Sequence, residues 1–232
     1  MPHRRVGCKY RCHFNPLRFK SETARPCGNY SKIETGMKKN ISRSGLELVR
    51  SKLGSKSIVM IGLMGAGKTT VGRRLAQRLE LPFVDADHEI ERAAGMSVSD
   101  IFAQHGESYF RDGERKVIAR LLSNGPQVLA TGGGAFMDAE TRANIADTGL
   151  SLWLKCSHKL LMKRVRKRGG RPLLDANNPD AVMQELMDKR YPVYGLADLS
   201  IISRDVSHST IVNDAIRALH AHFDPDLEQQ NQ

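Results

Sequence analysis

Eight residues decide most of what this chain can fold into. Gly62-Leu-Met-Gly65-Ala-Gly67-Lys68-Thr69 fits the pattern G-x-x-x-x-G-K-[ST], directly after an apolar β-prone run at 57–62 (SIVMIG) and directly before an amphipathic segment from Lys68 to Leu79. A glycine-rich turn between a buried strand and a helix lets backbone N–H groups point inward, and the helix start adds a partial positive charge. That combination binds the phosphates of a nucleoside triphosphate. Lys68 is placed to reach the β- and γ-phosphates, and the Thr69 hydroxyl to reach Mg2+.

The rest of the chain is consistent with such a loop. Four further β-prone runs, at 82–85, 128–131, 151–155 and Leu199–Ser203, alternate with helical patterns at 87–94, 97–105, 107–123, 138–147, 157–168, 179–190 and 208–222. Alternation of this kind predicts an α/β fold with a parallel sheet between helices, and ligands at the carboxyl ends of the strands. The longest apolar run, 58–66, is about half of the roughly 20 residues a membrane-spanning helix needs.

Charge separates the chain into two parts. Of 36 basic and 25 acidic residues, thirteen basic and three acidic residues fall in 1–52, a surplus of ten, which leaves a surplus of one for 53–232. Residues 1–52 hold few aliphatics and no sustained periodicity, so they are expected to form a disordered basic extension. The domain is expected over 53–224, with a flexible tail at 225–232. Three of the four cysteines, Cys8, Cys12 and Cys27, lie in the extension with His3 and His13, at spacings that match no common zinc pattern. The balanced remainder argues against nucleic acid as the partner. A basic, acid-poor start also has features of a transit peptide, which would place the protein in a plastid; a start near Met37 would leave it in bacterial cytoplasm.

A phosphate loop alone does not separate switch GTPases, motor ATPases and small-molecule kinases. No D-x-x-G or N-K-x-D occurs, and no apolar strand ends in Asp-Glu. The second β-prone run is instead followed by Asp85-Ala-Asp87, and the third by Gly132-Gly133-Gly134. The two carboxylates suit a division of labour, one supporting a magnesium shell and one accepting a hydrogen bond from an attacking hydroxyl; Asp87 also suits the N-cap of a helix starting at His88. Arg111, in Phe110-Arg-Asp-Gly-Glu114, and Arg190, at a helix end before Pro192, are guanidinium forks fitted to a small carboxylic acid. Arg164 to Leu174, RVRKRGGRPLL, reads as a basic helix end, a glycine hinge and a lid whose Arg171 would cover the transferring phosphoryl group.

Together GLMGAGKTT, the D-x-D pair, FRDGE, ATGGG, GRPLL and RYPVY, in this order, resemble shikimate kinase over about residues 57–223. The resemblance implies a three-layer P-loop kinase fold with a five-stranded parallel sheet and a mobile lid. It implies ATP-dependent phosphorylation of the 3-hydroxyl of shikimate, with one Mg2+ per subunit. By position, Gly65, Ala66, Gly67, Lys68, Thr69 and Thr70 would wrap the ATP phosphates, and Thr69 would bind the metal with Asp85 helping through water. Asp87 would act as the base, with Lys68 and Arg171 as the other catalytic groups. Asp87, Arg111, Gly133 and Arg190 would bind shikimate, Glu114 would orient the arginines, and Phe102 and Phe110 would line the pocket. Arg164 would flank adenine, with a second adenine-side position near Ser207. A monomer is expected. The alternatives are a gluconate-kinase-like enzyme, a nucleoside-monophosphate kinase and a nucleic-acid-binding protein that works through its basic leader.

Overall fold

A computed structural model describes residues 42–168 and 178–225. Five parallel strands, β1 (Ser57–Ile61), β2 (Phe83–Asp85), β3 (Val128–Ala130), β4 (Gly149–Cys156) and β5 (Leu199–Ser203), stand in the order β2-β3-β1-β4-β5. In register, Val59 faces Leu129 on one side and Ser151 on the other. Every residue of β1 is buried, as a central parallel strand covered on both faces should be. The order reverses direction at β1, which puts a crevice at the carboxyl ends of β1 and β3.

Among the described residues the helices are α1 (Arg43–Leu53), α2 (Lys68–Leu79), α3 (Ala86–Ala94), α4 (Val98–Ser123), α5 (Ala139–Thr148), α6 (His158–Arg168), α7 (Pro179–Tyr194) and α8 (His208–Phe223), with a 3-10 turn at Ala135–Met137. α1, α2 and α8 pack on one another, while α4 and α5 pack together beside the 3-10 turn and α7. α4 breaks at Gly106, where φ is 80°, so the two helical patterns expected at 97–105 and 107–123 are two arms of one bent element.

Two expectations are corrected. The predicted disordered extension is helical from Arg43. Ser42 caps α1 by accepting from the Gly45 N–H at 3.2 Å, and Val49 and Leu53 are buried in the main core. The apolar spacing Leu46, Val49, Leu53 is a short stripe inside a basic run, and burying two such side chains contributes about 1.5–3 kcal/mol each. The second correction concerns α7, which does not stop before Pro192 but runs to Tyr194. Pro192 lies in the last turn, where the missing N–H costs one bond, and Tyr191 anchors that turn by donating to the Cys156 carbonyl at 2.6 Å. Residues 1–41, the lid segment 169–177 with Arg171, and 226–232 lie outside the described residues.

Candidate active site

The phosphate loop leaves β1 and enters α2 through Gly67, whose φ of 100° belongs to the left-handed region. Gly65 has no room for a side chain, since a Cβ there would stand 2.9 Å from Val165 Cγ2 of α6. Lys68 lies back along the loop, its Nζ donating to the Gly62 carbonyl at 2.8 Å and the Leu63 carbonyl at 3.2 Å. Thr69 Oγ1 donates to Asp85 Oδ2 at 2.9 Å, so the two residues expected at the metal meet. They offer a hydroxyl and a carboxylate, the hard oxygen donors Mg2+ takes. No group of three or more His, Cys, Asp or Glu residues could hold a metal among the described residues.

Asp85, not Asp87, caps α3. Its Oδ1 accepts from the Asp87 N–H at 3.2 Å, because Asp85 is the last extended residue of β2. Asp87 is thereby left without a capping duty, and its carboxyl faces the cleft. Burial pushes its pKa above the ordinary carboxylate value and Asp85 adds to this, with Lys68 acting against both. A carboxylate held in that state is a better hydrogen-bond acceptor for a substrate hydroxyl.

Across the cleft, α4 supplies Arg111 and Glu114. Arg111 Nη1 donates to Glu114 Oε2 at 2.6 Å, while its Nε and Nη2 donate to Glu107. Burial pulls the Arg111 pKa down, but Glu114 and Glu107 outweigh it and leave the guanidinium above its ordinary value. The Glu114 side chain is 3% exposed, its Oε1 has no hydrogen-bond partner among the described residues, and burial raises its pKa against the pull of Arg111. Phe110 lies under the Arg111 guanidinium, 5.2 Å from ring centre to Cζ, and Phe102 lies 4.6 Å from Phe110.

The three glycines after β3 make room for these side chains. A Cβ on Gly132 would stand 2.6 Å from Glu114 Oε1 and 3.0 Å from Asp87 Oδ1, one on Gly133 would stand 3.1 Å from Arg190 Nη1, and one on Gly134 would overlap the Arg111 guanidinium. The sequence singled out only Gly133; the unbroken run of three was the available signal for the other two. The result is a cleft of about 300 Å³ in which the phosphate loop, Asp85, Asp87, Phe102, Phe110, Arg111, Glu114, the glycines and Arg190 share one wall system.

Two expected nucleotide contacts take another form. Arg164 sits behind the loop, its Nη1 donating to the Ala66 carbonyl at 3.2 Å and Ser203 Oγ at 2.9 Å, and its Nη2 to the Arg204 carbonyl at 2.9 Å. These donors brace the loop. Ser203 Oγ donates to the same Ala66 carbonyl at 3.2 Å, a contact the sequence reading missed because a serine at a strand end carries no motif. Ser207 caps α8 by accepting from the Thr210 N–H at 3.2 Å.

A parallel sheet in this order, a phosphate loop on β1 and an acceptor pocket of arginines and a buried carboxyl define a P-loop small-molecule kinase. The family model for shikimate kinase matches residues 64–220. A shikimate kinase of Bradyrhizobium diazoefficiens is 58% identical over 175 residues, 75% of this chain and 84% of that protein, and one of Brucella canis is 52% identical over 190 residues, 82% and 94% of the two chains. The solved shikimate kinase of Acinetobacter baumannii in complex with shikimate is 35% identical, with a TM-score of 0.68 over 73% of this chain and 95% of that one. This chain belongs to the shikimate kinase family.

Proposed function

We propose that this site transfers the γ-phosphoryl group of ATP to the 3-hydroxyl of shikimate, giving shikimate 3-phosphate and ADP. The observation that carries the reading is the convergence of Asp87, Arg111 and Arg190 on one triglycine turn beside the phosphate loop. Arg111 and Arg190 form a cationic wall suited to the substrate carboxylate. Asp87, beside the same triglycine turn, accepts from the attacking hydroxyl and aims it at the phosphorus, and in a loose transition state it needs to remove little of the proton before bond formation. Lys68 swings from the Gly62 and Leu63 carbonyls to the transferring oxygens as the phosphates fill the loop. Thr69 and Asp85 would hold Mg2+, Asp85 through water, and that ion would neutralise charge on the β- and γ-phosphates.

A monomer working without nucleic acid in the bacterial cytoplasm completes the reading; no helix among the described residues is long and apolar enough to cross a membrane. The gluconate-kinase-like alternative has no use for an arginine held by a buried glutamate beside a triglycine turn, as Arg111 is by Glu114. The test is ADP release by the full chain with MgATP and, separately, shikimate, gluconate, AMP or no acceptor. Turnover with shikimate alone is expected, and turnover with gluconate or AMP in its place overturns the acceptor assignment.

A further inference from the structure

Tyr194 closes α7 and is fully buried, yet its hydroxyl is not spent inside the core. It donates to the Gly133 carbonyl, the middle carbonyl of the triglycine turn. Arg190, one helical turn earlier on α7, faces the same turn, with its Nη1 only 3.1 Å from where a Gly133 Cβ would stand. The two residues also sense each other: burial raises the Tyr194 pKa, and Arg190 is the largest influence acting against that rise. The ring is fixed edge-on to Trp153 of β4, centroids 5.9 Å apart at 64°, so the hydroxyl has little freedom to leave.

Three successive glycines have more backbone conformations open to them than any other tripeptide, and a turn that must present main-chain groups to a ligand needs an external anchor. Its outer carbonyls, Gly132 and Gly134, are tied locally to the Ala135 and Met137 N–H groups at 3.3 and 3.0 Å. Its middle carbonyl is tied across 61 residues of sequence to Tyr194. We infer that Tyr194 is a positioning residue for the acceptor: through one hydroxyl it fixes the Gly133 peptide and, along the same helix face, the Arg190 guanidinium, so that both meet the substrate in one geometry. This rests on the shikimate reading of the pocket, and turnover of the parent protein with shikimate checks that reading separately from the ratio of variant to parent.

The test is Tyr194→Phe, which keeps the ring and its packing and removes one oxygen. Loss of a single positioning hydrogen bond should raise KM for shikimate about five- to tenfold, with kcat within about twofold and KM for MgATP unchanged. A tyrosine that only holds the fold together would lower the melting temperature and the active fraction and leave both KM values in place; that result overturns the inference, as does a parallel rise in both KM values. Should the phenylalanine chain not fold, a crystal of the parent protein with shikimate decides the matter. A Gly133 carbonyl on the Tyr194 hydroxyl in the loaded site supports the assignment, and a carbonyl turned away overturns it.

Discussion

The nucleotide half of the cleft and its acceptor half are built by opposite means. On the nucleotide side the groups proposed to hold phosphate are main-chain N–H groups of one short loop, and the supporting contacts come from behind it, where Arg164 and Ser203 share the Ala66 carbonyl. Around the acceptor the groups are side chains from α3, α4 and α7, gathered on a glycine turn that contributes space and backbone. The first arrangement is written in contiguous residues and needs only a strand before it and a helix after it. The second exists only once the sheet has brought residues 87, 111, 133 and 190 together, so it needs counter-groups such as Glu114 and Tyr194 to hold each long side chain in place. Changes on the nucleotide side should therefore register in rate or in KM for ATP, and changes on the acceptor side in KM for shikimate.

The largest effects test this division directly. Lys68→Met should lower kcat about a thousandfold while KM for shikimate stays near the parent value, because the lysine acts on charge that develops in transfer. Asp87→Asn should lower kcat about a hundredfold and raise KM for shikimate as well, since it both aims and binds the hydroxyl. Steady-state kinetics on both variants decide: a Lys68→Met enzyme that loses shikimate affinity as Asp87→Asn does would break the two-halves picture, and an Asp87→Asn enzyme with near-normal turnover would remove Asp87 from its role.

Glu114→Gln sharpens the acceptor side. Glu114 is the buried counter-ion of Arg111 and stands beside Gly132 of the acceptor turn. Replacing it with the neutral amide leaves the guanidinium paired only with the exposed Glu107, and KM for shikimate should rise about tenfold with KM for MgATP unchanged. Equal changes in both constants, read in the same assay, would mean that Glu114 shapes the whole cleft instead of one wall.

The same contrast explains what the sequence revealed. The five strands and the phosphate loop were legible because their signals are local: apolar runs of strand length, and one motif with a strand before it. Asp87, Arg111 and Arg190 were legible only as a set, since each alone reads as an ordinary surface charge, and Asp85 took the cap that the sequence had offered to Asp87 because α3 begins at Ala86, directly after β2, and not at His88. α1 was hidden by its basic surroundings, since Leu46, Val49 and Leu53 make a weak stripe until α2 and α8 supply the surface it covers. Tyr194 and Ser203 were illegible for a different reason. A tyrosine after Pro192 and a serine at a strand end acquire meaning from the carbonyl they touch, and neither carbonyl is nearby in sequence.

Ser203→Ala should give the smallest effect and is the counterpart of the tyrosine variant. The serine hydroxyl accepts from Arg164 Nη1 at 2.9 Å and donates a hydrogen bond to the Ala66 carbonyl at 3.2 Å, so it links the arginine brace to the loop. Arg164 also reaches the Ala66 carbonyl itself, so removing the serine hydroxyl weakens the brace without severing it. KM for MgATP should rise about threefold, with KM for shikimate unchanged and Ser203→Thr restoring the parent value, because threonine keeps the hydroxyl that makes both bonds. If Ser203→Ala instead raised KM for shikimate, strain in the phosphate loop would be reaching the acceptor wall, and the two halves of the cleft would have to be treated as one mechanical unit.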